Sequence, residues 1–381
     1  MIKTAYFDEA AGQLSVKGRF FLTNVLWLVL ALSGCQQVES RLLADAKTLL
    51  DALKPVISQE APAVTISPTP PSTPNASVQT PPVIAQSTPT SQAATTIPTT
   101  VSAQATEPEQ PLDLGKDCPH CPELVGLPTG LALLGSLPDE KGREPDEGPV
   151  QKVQVKAFAI GKYEVTKAQW RVFVQQSGHP TSSECLTWAG DGYDKPPLLS
   201  WQETGFVQTD NHPVVCVSWQ DAKAYAQWLS KASAKSYRLP TEMEWEYAAK
   251  AGQGLVPFPW SSGDSPCNRA NFADQSLLPL HPQWRLGGCG DGFEFTSPVG
   301  SFAANPWGVF DMQGNAMEWV SSCYAIAIQT QAEKNSECAK RVIKGGGWDM
   351  TEKYFRNAYR GRAGERIRTT GIGFRVVRDA N

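Results

Sequence analysis

A chain of 381 residues with a formal charge of −4 is long enough for two domains or more, and its near-balanced charge excludes the basic footprint of a nucleic-acid binder. Twelve Trp and thirty-one Gly suit a loop-rich fold pinned by aromatics rather than a helical bundle. Nine Cys point to an oxidising compartment.

The first 35 residues read as an export segment. Lys17-Gly18-Arg19 precedes an apolar run from Phe20 to Gly34, too short to span a bilayer comfortably and right for a signal h-region. It ends in Leu32-Ser33-Gly34-Cys35, which resembles a bacterial lipobox, so Cys35 is expected to become the acylated N-terminus. More than one acyl chain suffices for stable anchoring. Residues 36–112 read as a tether. Its start, 36–53, places Val38, Leu42, Leu43, Ala46, Leu49 and Leu50 on one helical face. From Pro55 to Pro111 the chain is Pro, Thr, Ser, Ala and Gln, which cannot bury enough apolar surface to offset the entropy of ordering. Extended, that stretch reaches on the order of 170 Å.

Residues 113–381 carry the globular domain. Cys118-Pro119-His120-Cys121 opens it, and a local disulfide fits better than zinc, since no second such motif exists and only four His are present. Lys152 to Lys156 alternates as a half-buried strand. Three helix starts follow with capping boxes: Thr166 with Gln169, Ser218 with Asp221 and Thr241 with Glu244. The first helix presents Trp170, Phe173 and Val174 on one face, the second Tyr225, Trp228 and Leu229, and both stripes read as core. Setting Cys35 aside leaves eight of the nine Cys, and proximity suggests Cys118–Cys121, Cys185–Cys216, Cys267–Cys289 and Cys323–Cys338. Each bridge is expected to stabilise by about 2–4 kcal/mol.

Pro306 to Trp319 mixes large aromatics with Gly and Asn, which let a backbone turn tightly. Asp311 and Glu318 bring hard carboxylate oxygens, and Gly314 and Ala316 bring bare carbonyls. The inventory suits a calcium-ordered loop, and equally a pair of capped turns beneath aromatics. Within it, Gly314-Asn315-Ala316-Met317-Glu318-Trp319 resembles a signature of the formylglycine-generating enzyme, or sulfatase-modifying factor, family. Other blocks agree in the family's order: Ile160 to Thr166, His212-Pro213-Val214 through Val217-Ser218-Trp219, Tyr237 to Glu242 through Glu246-Tyr247-Ala248, Arg341 to Trp348, and Gly373-Phe374-Arg375.

The resemblance covers roughly residues 118–379 and implies an α+β, C-type-lectin-like fold of high irregular content with short strands, a few helices and disulfide stabilisation. It implies two structural calcium sites, one matching Asn271, Phe272, Asp291 and Phe293, the other Asp311, Gly314, Ala316 and Glu318. The family's oxidases bind copper(I) through two thiolates in the segment after the paired Gly. Aligned on Gly345-Gly346, those positions are Met350 and Phe355, and Gly347 stands where the oxidases carry Ser. Another branch holds iron with three His, whereas His120, His179, His212 and His281 are scattered here. No catalytic residue is assigned, and neither copper nor iron is expected.

Trp348, Asp349, Tyr354, Arg356, Tyr359, Arg360 and Arg362 crowd the segment where the family binds its peptide, a composition that suits either a recognition surface or a solvated basic loop over packed aromatics. The expected function is an extracytoplasmic lipoprotein whose domain binds a polypeptide or cell-envelope ligand, anchored to the membrane by lipid and with no nucleic-acid partner. The alternative is an enzyme that oxidises a Cys side chain of an exported protein.

Overall fold

The computed structural model describes residues 110–380, apart from 189–192, 195, 197, 262, 281–285, 287 and 329–337. The lipobox with Cys35, the 36–53 stripe, nearly all of the tether and His281 lie outside the described residues.

Strands β1 (Leu112–Lys116), β2 (Glu123–Leu127), β5 (Phe158–Gly161), β13 (Val377–Asp379) and β8 (Tyr237–Arg238) form a five-stranded sheet in the order β1-β2-β5-β13-β8. The last strand of the chain thus sits between β5 and β8, antiparallel to both. A second sheet runs β11 (Gly361–Ala363), β10 (Arg341–Lys344), β9 (Met317–Cys323), β12 (Ile372–Gly373), with β12 parallel to β9. β3 (Gly130–Leu134) pairs with β4 (Gln151–Val155), and β6 (Thr187–Trp188) with β7 (Tyr193–Asp194). The alternating stretch expected at Lys152–Lys156 is β4, one residue earlier.

Three helices are described: α1 (Lys167–Ser177), α2 (Trp219–Ser233) and α3 (Glu242–Lys250). Each starts at the expected cap, and all three capping boxes close, so two otherwise orphaned N–H groups are satisfied at every start. α1 ends where Gly178 turns left-handed (φ 69°) and donates its N–H to Val174. The expected stripes are core: Trp170, Phe173, Tyr225 and Leu229 are buried, with Val174 and Trp228 packed at the edge. Trp170 stacks on Tyr225 at 5.9 Å and meets Phe374 edge-on at 5.9 Å. A second cluster joins Trp245 of α3 to Leu134 and Val320. The four disulfides are those proximity suggested, with Cα separations of 4.9–6.1 Å.

The stretch from Pro306 to Ala316 is an irregular loop that enters β9 at Met317. Trp307 meets Tyr247 edge-on at 4.7 Å, and Trp319 donates its Nε1–H to the Val217 carbonyl at 3.0 Å. Gly314 has φ 78°, and a Cβ there would lie 2.1 Å from the Asn271 carbonyl oxygen. Gly178 also has positive φ but open space around it. Gly178→Ala is therefore expected to cost only backbone strain, about 1 kcal/mol, whereas Gly314→Ala adds a backbone clash and should cost on the order of 3 kcal/mol or more. Urea denaturation of both variants checks this, and equal losses would contradict it.

Candidate functional site

The loop leading into β9 carries Asn315 in the left-handed region (φ 60°), which turns its amide inward. Its Oδ1 accepts from Ser297 N (2.9 Å) and Asn271 Nδ2 (3.2 Å), and its Nδ2 donates to Glu164 Oε2 at 2.9 Å. Glu164 Oε1 accepts from Ala316 N at 2.9 Å. Two residues into β9, the fully buried Glu318 meets the fully buried Arg375. Arg375 Nε lies 2.8 Å from both carboxylate oxygens, Nη2 lies 2.6 Å from Oε1, and Trp245 Nε1 donates to Oε2 at 2.7 Å. The remaining guanidinium protons reach the carbonyls of Gly161 (3.0 Å), Phe310 (2.9 Å) and Asp311 (3.2 Å). Burial, with Asp311 and Glu318 close by, pushes the Glu164 carboxyl well above its ordinary range, and burial pushes Asp311 up to about 6.

A neighbouring loop places Asn271, only 1% exposed, with Nδ2 on the Phe295 carbonyl (2.8 Å) and its buried Oδ1 without a hydrogen-bond partner among the described residues. Asp291 accepts the N–H groups of Phe272 (3.0 Å) and Phe293 (2.8 Å). Buried Asp274 accepts from Ser276 N at 2.8 Å and from Asp291 N. Burial, reinforced by the Asp274 charge, pushes Asp291 up to about 7.

The segment after Gly345-Gly346 turns back on these loops. Phe355 is fully buried among Phe258, Phe272 and Trp260, at ring separations of 5.5, 5.1 and 6.2 Å. Met350 packs at the edge of the main core, and its carbonyl accepts from Ala273 N at 2.8 Å. Asp349 is 7% exposed, and its Oδ1 has no hydrogen-bond partner among the described residues. A Cβ at Gly371 would come within 2.8 Å of that oxygen, and one at Gly347 within 3.0 Å. Burial pushes the Asp349 carboxyl up to about 6.

The family model of the sulfatase-modifying factor enzyme 1-like domain matches residues 111–380. This chain belongs to that family. A formylglycine-generating enzyme of Mycobacterium tuberculosis is 31% identical over 313 residues, which cover 68% of this chain and 98% of the relative. A mouse protein named inactive C-alpha-formylglycine-generating enzyme 2 is 32% identical over 292 residues, covering 68% and 86%. Among solved structures, PvdO from Pseudomonas aeruginosa is similar with a TM-score of 0.58 and 35% identity, covering 72% of this chain and all (100%) of PvdO.

For the sulfatase-modifying-factor domain, the basic segment corrects an expectation. Arg356 is 2% exposed and pairs with Glu147 (2.8 Å) and Glu140 (2.6 Å). Arg360, also 2% exposed, pairs with Glu242 (2.5 Å) and the Asp146 carbonyl (2.9 Å). Trp348 and Tyr359 are buried as well, so neither a recognition surface nor a solvated loop describes these four; Tyr354 and Arg362 remain half-buried. The reason is that the acidic connection between β3 and β4 covers the segment and brings Glu140 and Glu147 to Arg356, while Glu242 at the start of α3 neutralises Arg360. Only tertiary structure brings residues some 210 positions apart together.

The two expected calcium sets differ in fit. The Asn271 set offers an orphaned buried oxygen and the Asp291 carboxylate, which suits a hard cation. In the other set Glu318 does not fit as a ligand, because Arg375 and Trp245 take its oxygens. Asp311 and the Gly314 and Ala316 carbonyls remain. Among the described residues no three His, Cys, Asp or Glu side chains form a metal-ligand group, so any cation here relies on carbonyls and Asn271. Of the His, His120 is exposed, His179 pairs with Asp221 at 2.9 Å, and His212 Nδ1 lies 3.0 Å from Thr296 Oγ1. The sequence reading missed the Glu164, Asp274 and Arg375 roles. Glu164 and Arg375 stood inside matched blocks, but nothing local marks a charge as buried.

Asp349 supplies a sign-defined test. Its folded value lies above the ordinary 3.8, so its contribution to stability is fully present below pH 3.8 and is lost as pH rises through about 6. The loss is about 1.4 kcal/mol per unit of separation. Asp349→Asn removes the titration, so the stability difference between variant and wild type should shift in the variant's favour from pH 4 to pH 8. A difference that does not change with pH, in thermal melts across that range, would contradict this.

Proposed function

We propose that this protein is an extracytoplasmic member of the family, anchored through Cys35, whose domain serves as a binding or regulatory module for a polypeptide or cell-envelope ligand rather than as a copper oxidase. The observation that carries the reading is Phe355: a fully buried ring packed against three aromatics stands at the second thiolate position. A copper(I) ion needs soft sulfur donors. All eight Cys of the domain are held in disulfides, and Met350 offers at most a thioether. A relative named as inactive lies within the same family. Oxygen uptake with copper and a Cys-x-Pro-x-Arg peptide is the test. The expected outcome is no uptake above the copper-free control together with measurable peptide or envelope-ligand affinity. Turnover would establish the alternative, an enzyme that oxidises a Cys side chain of an exported protein.

Calcium is proposed as a structural ion. At the first position Asn271 Oδ1, Asp291 and the carbonyls of Phe272 and Phe293 would hold it; at the second, Asp311 with the carbonyls of Gly314 and Ala316 would do so. Its role would be to order loops and to neutralise carboxylates whose ionised form burial disfavours. Calorimetry is expected to show a higher Tm in calcium than in EDTA. The rise should shrink in Asp291→Asn, and a wild-type Tm indifferent to calcium would refute the proposal.

A further inference from the structure

Cys118-Pro119-His120-Cys121 lies in the turn between β1 and β2, and its bridge differs from the other three in what it holds together. It closes a separation of three residues, against 31, 22 and 15 for the others. Stabilisation by a cross-link grows with the loop that it closes, so this bridge restrains the unfolded chain least. The turn is also held without it. Cys121 N–H donates to the Cys118 carbonyl at 3.0 Å, and the β1–β2 ladder pairs Lys116 with Glu123 on either side. Asp117, one residue before the bridge, accepts from the Tyr237 hydroxyl and from Arg378 Nη1, both at 2.6 Å. Breaking the S–S bond therefore leaves the two sulfurs side by side, in a turn that backbone pairing still closes.

Access to the pair is one-sided. Cys121 is 0% exposed in the main core, whereas Cys118 is half-buried at its edge and Pro119 and His120 are exposed. An incoming thiolate thus reaches Cys118 and not Cys121. Half-burial alone does not mark the site, since Cys289, Cys323 and Cys338 share it. A short turn that supports itself does. His120 stands two residues from Cys118, and an imidazolium there favours a thiolate over a thiol. Asp117, the carboxylate nearest in sequence, is countered by Arg378.

We propose that Cys118–Cys121 is a thiol–disulfide exchange site that oxidises dithiols, with Cys118 as the attacked sulfur and Cys121 as the resolving one. The partner's thiolate attacks Cys118 Sγ, the S–S bond breaks, and Cys121 leaves as a thiolate and takes a proton. The partner's second thiolate then attacks its own bridged sulfur, closes the partner's disulfide and expels Cys118, which is protonated in turn. Two electrons and two protons pass from the partner to the Cys pair. The exchange needs neither metal nor oxygen, so it goes beyond the binding-module reading and does not depend on it.

The test mixes the oxidised full chain with an excess of a reduced two-Cys peptide, quenches at intervals with an alkylating reagent and maps the labelled Cys by mass spectrometry. Label is expected at Cys118 and Cys121 about tenfold earlier than at the other six bridged Cys, with one peptide disulfide formed for each pair reduced. His120→Ala should slow the exchange several-fold. Given the oxidised peptide instead, Cys121→Ser should be trapped as a mixed disulfide through Cys118, and Cys118→Ser should not, because its remaining sulfur is buried. Label that appears first at another bridge, or at all four together, overturns the proposal, and that readout needs no variant that could misfold. Equal trapping of the two Cys variants overturns the assignment of attacked and resolving sulfurs.

Discussion

The fold depends on one buried ion pair, Glu318 with Arg375. Both side chains are fully excluded from water, and every oxygen of the carboxylate and every nitrogen of the guanidinium has a partner. Those partners come from β5, the loop before β9, β9 itself, α3 and the C-terminal segment. Replacing such a pair with apolar groups is often close to neutral, whereas removing one member strands a charge at about 3–5 kcal/mol. What the pair adds is therefore registry. It sets where the chain's last strand enters the first sheet relative to β9 of the second, and the positive-φ loop 311–315 is held in the same grip.

Around that pair the charge is unevenly distributed. Glu246, equally buried, is balanced by Lys250 (2.7 Å) and Lys344 (3.2 Å); burial raises its carboxyl, but the two lysines prevail and hold it near 2. Among the described residues Glu164, Asp311, Asp291 and Asp349 form no ion pair of this kind, and burial raises all four. Carboxylates of this kind destabilise a fold as pH climbs past their ordinary range unless a cation or a proton stays with them. The oxygen-rich loops beside Asn271 and Asp311 sit where two of these four lie, which gives the calcium reading a physical motive independent of kinship.

The segment after Gly345-Gly346 is held by ring packing and steric fit. The Phe355 ring braces Phe258 and Trp260. Asp349 takes up space at Gly347 and Gly371 that a side chain on either residue would need. Apolar contact and a buried carboxyl whose ionised form burial disfavours thus line the segment after Gly345-Gly346.

Much was legible in the chain itself. The three capping boxes, the apolar stripes of α1 and α2 and four short-range disulfides follow from local spacing, because hydrogen bonds three residues apart and loops of at most 31 residues need no knowledge of the rest. The α+β class and the family followed from ordered blocks, each carrying its own turn and aromatic chemistry. What tertiary structure alone decided is which charges are buried and with whom. Arg356 and Arg360 looked like a surface until the β3–β4 connection laid Glu140 and Glu147 and the Asp146 carbonyl on them, and Glu318 looked like a cation ligand until Arg375 took its oxygens. A side chain's desolvation is set by everything packed around it, and partners 57 to 216 residues away leave no local mark.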